Sequence, residues 1–88
     1  MYVHIGKDII IKSENIIAIF DIESLEKKNS LKNICQNLEI SDNIIDVSEN
    51  NRKSLIIVNK NDTTKGYISN ISSITLGKRT SKYERVDK

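Results

Sequence analysis

The sequence predicts a small α+β domain, in which an antiparallel sheet is crossed by one main helix. The chain has 88 residues, which suffices for one domain. Isoleucine, a β-branched residue that suits strands, carries much of its apolar content. Only one long segment has apolar residues at helical spacing, and the segments on either side resemble strands. We therefore expect the order β-β-β-α-β-β-β, with a short C-terminal helix as an option.

Three strands are predicted before the helix. Residues 2–5 alternate in polarity, residues 8–12 form an apolar return strand, and residues 16–22 are apolar at nearly every position. Gly6 suits the first turn because glycine accepts positive φ, and the polar stretch 13–15 predicts a second tight turn. The continuous run 16–22 predicts burial on both faces, although period alone does not separate it from a buried helix.

The main helix is predicted from one apolar stripe. Its members are spaced at i, i+3, i+4 and i+7, namely Leu31, Ile34, Cys35 and Leu38. Ser24 and Asn29 are the alternative N-caps, so the start of the helix is left open. Cys35 lies on the apolar stripe, which favours a buried structural thiol over a nucleophile.

The second half of the chain predicts a strand and then a hairpin. Residues 44–48 form a short strand, and a turn follows at 49–51. The most apolar run, 55–58, predicts a central strand, which a polar loop at 59–64 joins to a return strand at 65–69.

A short last helix is predicted to begin at Asn70 or Ser72 and to stop at Gly77. We therefore expect residues 1–77 to form a single α+β domain. Residues 78–88 have no apolar period, and we expect them to be a basic, disordered tail.

The charge is distributed unevenly along the chain. Residues 1–49 contain five basic and nine acidic side chains, and residues 50–88 contain nine basic and three acidic ones, so their net charges are −4 and +6. The segment 78–88 contributes +3 of this excess. A basic half of this kind raises the question of a polyanion as a partner, and the alternative is that residues 78–88 are simply a solvated tail.

Several classes of protein have no support in the sequence. No apolar run is long enough to span a bilayer, and the N-terminus lacks the pattern of a signal peptide. One cysteine and one histidine are too few for a disulfide or a zinc site, and the three glycines form no phosphate-binding loop. His4 has no orienting carboxylate, and Asp42 and Asp46 have no further carboxylates around them. We expect a cytosolic protein that is not an enzyme and has no cofactor, metal or small-molecule substrate.

Four cations are candidates for binding nucleic acid. Arg52 and Lys53 precede the central strand, where a phosphate can be held by two cations and nearby backbone N–H groups. Lys60 and Lys65 flank the other end of the hairpin, about 17–20 Å away. The alternative is a solvated hairpin whose edge is protected from aggregation by charge. A single copy offers few phosphate contacts, so binding would depend on an oligomer that multiplies weak sites.

The order of several segments resembles a known bacterial family. These segments are Met1–Gly6, the strand that begins at Asp8, Ile19–Asp21 and Lys53–Ile57, and they resemble the RemB-type branch of the extracellular-matrix regulators. The turn at Ser13 to Asn15 and the strand at Ile45–Asp46 also resemble the RemA-type branch. The resemblance extends from Met1 to about Leu76.

The resemblance implies a cytosolic, DNA-binding regulator of biofilm-matrix genes that assembles into closed rings. It also implies that arginines contact DNA from two places. Arg52 and Lys53 occupy one of these places, and Ile16 occupies the other. The first hypothesis is therefore a homo-oligomeric DNA-binding regulator of weak sequence specificity. The second, supported by Ile16, is a self-assembling protein-interaction module without a nucleic-acid role.

Overall fold

The computed structural model describes residues 1–80 and confirms the predicted α+β class. Six strands and three helices are formed in this range. They are β1 (Tyr2–Gly6), β2 (Ile9–Lys12), β3 (Ile16–Asp21), α1 (Ile22–Lys27), α2 (Leu31–Asn37), β4 (Ile44–Asp46), β5 (Ser54–Lys60), β6 (Thr63–Ser69) and α3 (Ser73–Arg79). None of the helices in this part of the chain is long and apolar enough to cross a membrane.

The strands form two sheets and are not all antiparallel. β1 and β2 pair as a separate hairpin, while the other four strands have the order β3-β5-β6-β4. β4 pairs with β6 in parallel, so the expectation of one purely antiparallel sheet is wrong in this detail. In the sheet, β6 lies between β4 and β5. The segment 47–53, which joins β4 to β5, therefore passes the position of β6. Glu49 and Asn50 have positive φ there, but their turn does not close a hairpin.

The four-stranded sheet has an apolar cluster on each face. Ile56 and Val58 of β5 pack into one cluster, which includes side chains of β1, β2 and α3. Leu55 and Ile57 pack into the other, which includes side chains of α1 and α2. Such alternation along β5 is the expected geometry of a strand buried on both faces. The prediction that residues 55–58 form a central strand is confirmed.

β3 is an edge strand and is buried less than predicted. Ile16 is buried, but 60% of Ile17 is exposed. The pairing with β5 is irregular between Ile16 and Ala18. An edge position and this irregularity explain why an apolar run does not yield burial on both faces.

The predicted single helix is divided into α1 and α2, and both predicted N-caps are wrong. Asp21 caps α1, because its carboxylate accepts a hydrogen bond from the Ser24 backbone N–H at 3.0 Å. Ser24 therefore lies inside α1. Asn29 has φ of 53° and interrupts the helical backbone between the two helices. Cys35 is buried on α2, as predicted, and burial raises the pKa of its thiol.

The β5–β6 hairpin is confirmed, but its turn is tighter than predicted. Asn61 and Asp62 form the turn with φ of 53° and 65°. Two consecutive positive φ values are the signature of a two-residue turn that matches the twist of the strands. The strands therefore extend to Lys60 and Thr63, and the predicted six-residue loop is wrong.

The C-terminal helix begins as predicted but does not end at Gly77. Ser72 caps α3 by accepting a hydrogen bond from the Thr75 backbone N–H at 3.2 Å. Gly77 is buried within the helix, which continues to Arg79. The Arg79 guanidinium donates a hydrogen bond to the His4 carbonyl oxygen at 3.1 Å and so connects α3 to β1. The prediction for the rest of the tail falls on residues 81–88, outside the described residues.

Candidate nucleic-acid interface

The β5–β6 hairpin divides the four predicted cations into two groups. Arg52 and Lys53 precede β5 at the open end of the hairpin. Lys60 ends β5 near the turn, and Lys65 lies opposite Val58 on β6. The seven residues of β5 span about 20 Å at the usual rise of a strand. One copy of the chain therefore does not bring all four cations together.

Backbone hydrogen bonds fix the position of the Arg52 group. The Lys53 N–H donates to the Ser69 carbonyl oxygen at 2.9 Å, and the Lys53 carbonyl oxygen accepts from the Ile22 N–H at 3.0 Å. Lys53 is thereby held between β6 and the start of α1. Lys53 is an exposed residue, and so is Arg52.

Carboxylates partly offset the charge of Arg52. Its Nη1 atom lies 3.4 Å from Glu26 Oε2, and the two side chains are 40% and 51% exposed. The positive charges of Arg52 and Lys7 also contribute to lowering the pKa of the Asp46 carboxyl. The pKa of Asp46 is lowered mainly because its carboxylate accepts hydrogen bonds from the Ser48 hydroxyl and backbone N–H. The open end of the hairpin is therefore a region of mixed charge with an exposed arginine.

The second group gains a cation that the sequence analysis missed. Lys12, at the end of β2, lines a groove of about 210 Å³ together with Lys60 and Lys65. The same groove contains Asn15, Thr63 and Tyr67. Lys12 lies far from the hairpin in sequence, and only the packing of the β1–β2 hairpin over the sheet brings it there. In the sequence, only its position at the end of a predicted strand marks Lys12 as a candidate for this groove.

Two other residues that the sequence analysis considered, His4 and Asp46, have structural partners. His4 Nε2 lies 2.6 Å from the Lys7 carbonyl oxygen, across the turn between β1 and β2. Asp46 is engaged with Ser48. Within residues 1–80, no group of His, Cys, Asp and Glu side chains is arranged to hold a metal ion.

The structure defines a small α+β domain that exposes cations at both ends of one hairpin. Comparison with known families then identifies the chain more closely. The chain belongs to the RemA-like family, described as extracellular matrix regulatory protein A-like, and matches it over residues 2–80. This is a family of regulatory proteins, and the match does not separate its branches. No curated protein matches the chain significantly.

Proposed function

We propose that this protein is a DNA-binding regulator of transcription of biofilm-matrix genes, of the RemB-type branch, acting in the cytoplasm as a homo-oligomer. Membership of the RemA-like family over residues 2–80 is the observation that carries the proposal. In this proposal the protein binds DNA mainly through phosphate contacts, because the candidate residues are cations at the two ends of a hairpin and the sequence singles out no reader of bases.

Arg52 and Lys53 are the proposed main phosphate contacts. Both residues are exposed, and backbone hydrogen bonds hold Lys53 in place. The ion pair between Arg52 and Glu26 is exposed to solvent, and such pairs contribute only about 0–1 kcal/mol. A phosphate can therefore replace Glu26 as the partner of Arg52 at little cost. Lys60 and Lys65 would provide further contacts at the other end of the hairpin.

In this proposal the chain self-associates into a ring. The ring would supply the additional phosphate contacts that one copy lacks. The edge strands of the sheet, β3 and β4, expose Ile17 and Ile45, which are 60% and 41% exposed. Two different edges on one chain suit a head-to-tail contact, which closes into a ring when the rotation permits. Several weak phosphate sites on one ring would then act together on one DNA molecule.

The test is binding of the full chain to duplex DNA over a series of salt concentrations. We expect the affinity of the wild type to fall steeply as salt rises, because phosphate contacts release counterions. The variant Arg52→Gln/Lys53→Gln should lower the affinity at least tenfold and reduce the slope. The control Lys27→Gln/Lys28→Gln removes the same charge from exposed residues in and after α1 and should have little effect. Absence of binding at low salt, or equal losses in both variants, would contradict the proposal.

A second function is favoured by one observation. Ile16, at the place where the resemblance implies an arginine, is 7% exposed and packs in the apolar core. It is not available to a phosphate. The alternative function is a self-assembling module that contacts a protein partner, and it predicts oligomers of unchanged mass and no DNA binding by any variant.

A further inference from the structure

A groove between β2 and the β5–β6 hairpin combines three lysines with an apolar floor. Its cations are Lys12, Lys60 and Lys65, which come from three different strands. The remaining lining residues are the polar Asn15 and Thr63 and the apolar or aromatic Ile10, Ile11, Val58 and Tyr67. Among the residues that the structure describes, no acidic residue lines this groove.

Within residues 1–80, the three lysines form no ion pairs with carboxylates. Asp62 lies close in sequence, in the turn after Lys60, but it does not line the groove. Like charges that share a concave surface repel one another, and the surrounding walls focus their field. An anion of several charges would relieve this repulsion.

The groove is concave, so it can hold a compact ligand when Lys60 and Lys65 are not in contact with DNA. Small-molecule sites are concave and largely apolar, with a few polar groups that fix the ligand, whereas phosphate contacts to a duplex need only an exposed cationic surface. The volume of about 210 Å³ is below the roughly 300–1,000 Å³ of sites for drug-sized ligands. It suits a diphosphate group better than a complete nucleotide.

We propose that the groove formed by Lys12, Lys60 and Lys65 binds the diphosphate group of a small phosphorylated molecule. The three ammonium groups neutralise the phosphate charges, and the Asn15 amide and Thr63 hydroxyl offer further hydrogen bonds. The diphosphate is either free or the end of a nucleotide, whose nucleoside would then lie at the mouth of the groove. This ligand is bound and not transformed. The inference does not depend on the proposed contacts of Arg52 and Lys53, which lie at the opposite end of the hairpin.

The test is calorimetric titration of the full chain, at low salt and without metal, with inorganic pyrophosphate, ADP, AMP and orthophosphate. We expect pyrophosphate and ADP to bind at least tenfold more tightly than AMP and orthophosphate. ADP binding more tightly than pyrophosphate would identify a nucleotide as the ligand, and equal affinities would identify free diphosphate. No binding of either at millimolar concentration would overturn the inference.

Variants locate the binding site. Lys12→Gln, Lys60→Gln and Lys65→Gln should each weaken pyrophosphate binding by about fivefold or more, since each removes a charge-assisted contact. The controls Lys27→Gln and Lys32→Gln change lysines of α1 and α2 and should leave it unchanged. Arg52→Gln/Lys53→Gln should also bind pyrophosphate normally, whether or not DNA binding is lost. Equal weakening by groove and control variants would indicate general charge attraction and would overturn the inference.

Discussion

Arg52 and Glu26 form an ion pair across the surface, with Nη1 of the arginine 3.4 Å from Oε2 of the glutamate. The pair joins the segment before β5 to helix α1. Both side chains keep a large exposed fraction, so solvent screens the attraction and the pair adds little to stability. Its main consequence is electrostatic, because a carboxylate stands beside the arginine proposed to contact DNA.

Removing that carboxylate should therefore strengthen DNA binding. We expect Glu26→Gln to raise the affinity for duplex DNA by about two- to fivefold at low salt, since an exposed charge pair is worth up to about 1 kcal/mol. Glu23→Gln is the matched control, because Glu23 pairs with Lys27 at 3.9 Å within α1. Fluorescence anisotropy with labelled DNA measures the change. Equal gains in the two variants would indicate net charge alone, and no gain would argue against contact between Arg52 and phosphate.

Gly6 should tolerate alanine poorly. Its φ is 139°, and an added Cβ would lie 2.9 Å from the Val47 carbonyl oxygen. Strained backbone and close approach to a backbone atom together should cost on the order of 2–4 kcal/mol of unfolding free energy. Gly66→Ala is the comparison, because its Cβ would meet flexible side-chain ends at 3.1 Å and 3.3 Å. Urea denaturation should rank Gly6→Ala as clearly the less stable variant, and the reverse order would contradict this account.

The sequence predicts a secondary-structure element well when the pattern that indicates it lies within one short segment of the chain. The strand at Leu55–Val58 and its return strand followed from an apolar run and a polar turn. The apolar stripe does not predict the break at Asn29, because the cap of the separate first helix is Asp21, which follows an apolar run typical of a strand. The sequence predicts a helix stop at Gly77, but packing of α3 on β1 and β3 makes Gly77 an interior residue of the helix.

Long-range arrangement was less accessible from the sequence. The parallel pairing of β4 with β6 depends on a segment that skips a strand position, and no periodicity records this. The candidate site was missed in part for the same reason. Arg52, Lys53, Lys60 and Lys65 could be found because they lie near one hairpin, whereas Lys12 reaches the groove only through tertiary packing. The binding of nucleic acid by these four cations stays a prediction.

Ser69 should be the most sensitive of the buried serines. Its side chain is fully buried, donates a hydrogen bond to the Ile5 carbonyl oxygen and accepts one from the Ile71 N–H at 2.9 Å. Ser69→Ala leaves both backbone groups without this partner, and we expect a loss of about 1–3 kcal/mol. Ser41→Ala, at an exposed position, is the control. Chemical denaturation measures both, and a loss no larger than that of the control would refute the role of this link.

Asp46 should make stability depend on pH. Hydrogen bonds from Ser48 lower the pKa of its carboxyl in the folded state. The resulting stability is therefore complete above the unfolded pKa, near 4, and is lost as the pH falls through the lower folded pKa. Asp46→Asn keeps an oxygen acceptor for Ser48 but does not titrate. We expect the wild type to lose more stability than Asp46→Asn on acidification below about pH 4 in thermal unfolding, and parallel curves would contradict this.

Ile17 should be the side chain on which self-association depends most directly. It is 60% exposed on the edge strand β3, where a neighbouring copy can pair with the sheet. A lysine on an exposed edge discourages such pairing, so Ile17→Lys should lower the mass of the particle in sedimentation experiments. Ile74→Lys introduces the same charge at a 62% exposed position on α3 and should not change the mass. DNA affinity should fall together with the mass, because separated copies lose the high effective concentration of linked sites. If Ile17→Lys keeps the wild-type mass, the copies do not join through this edge.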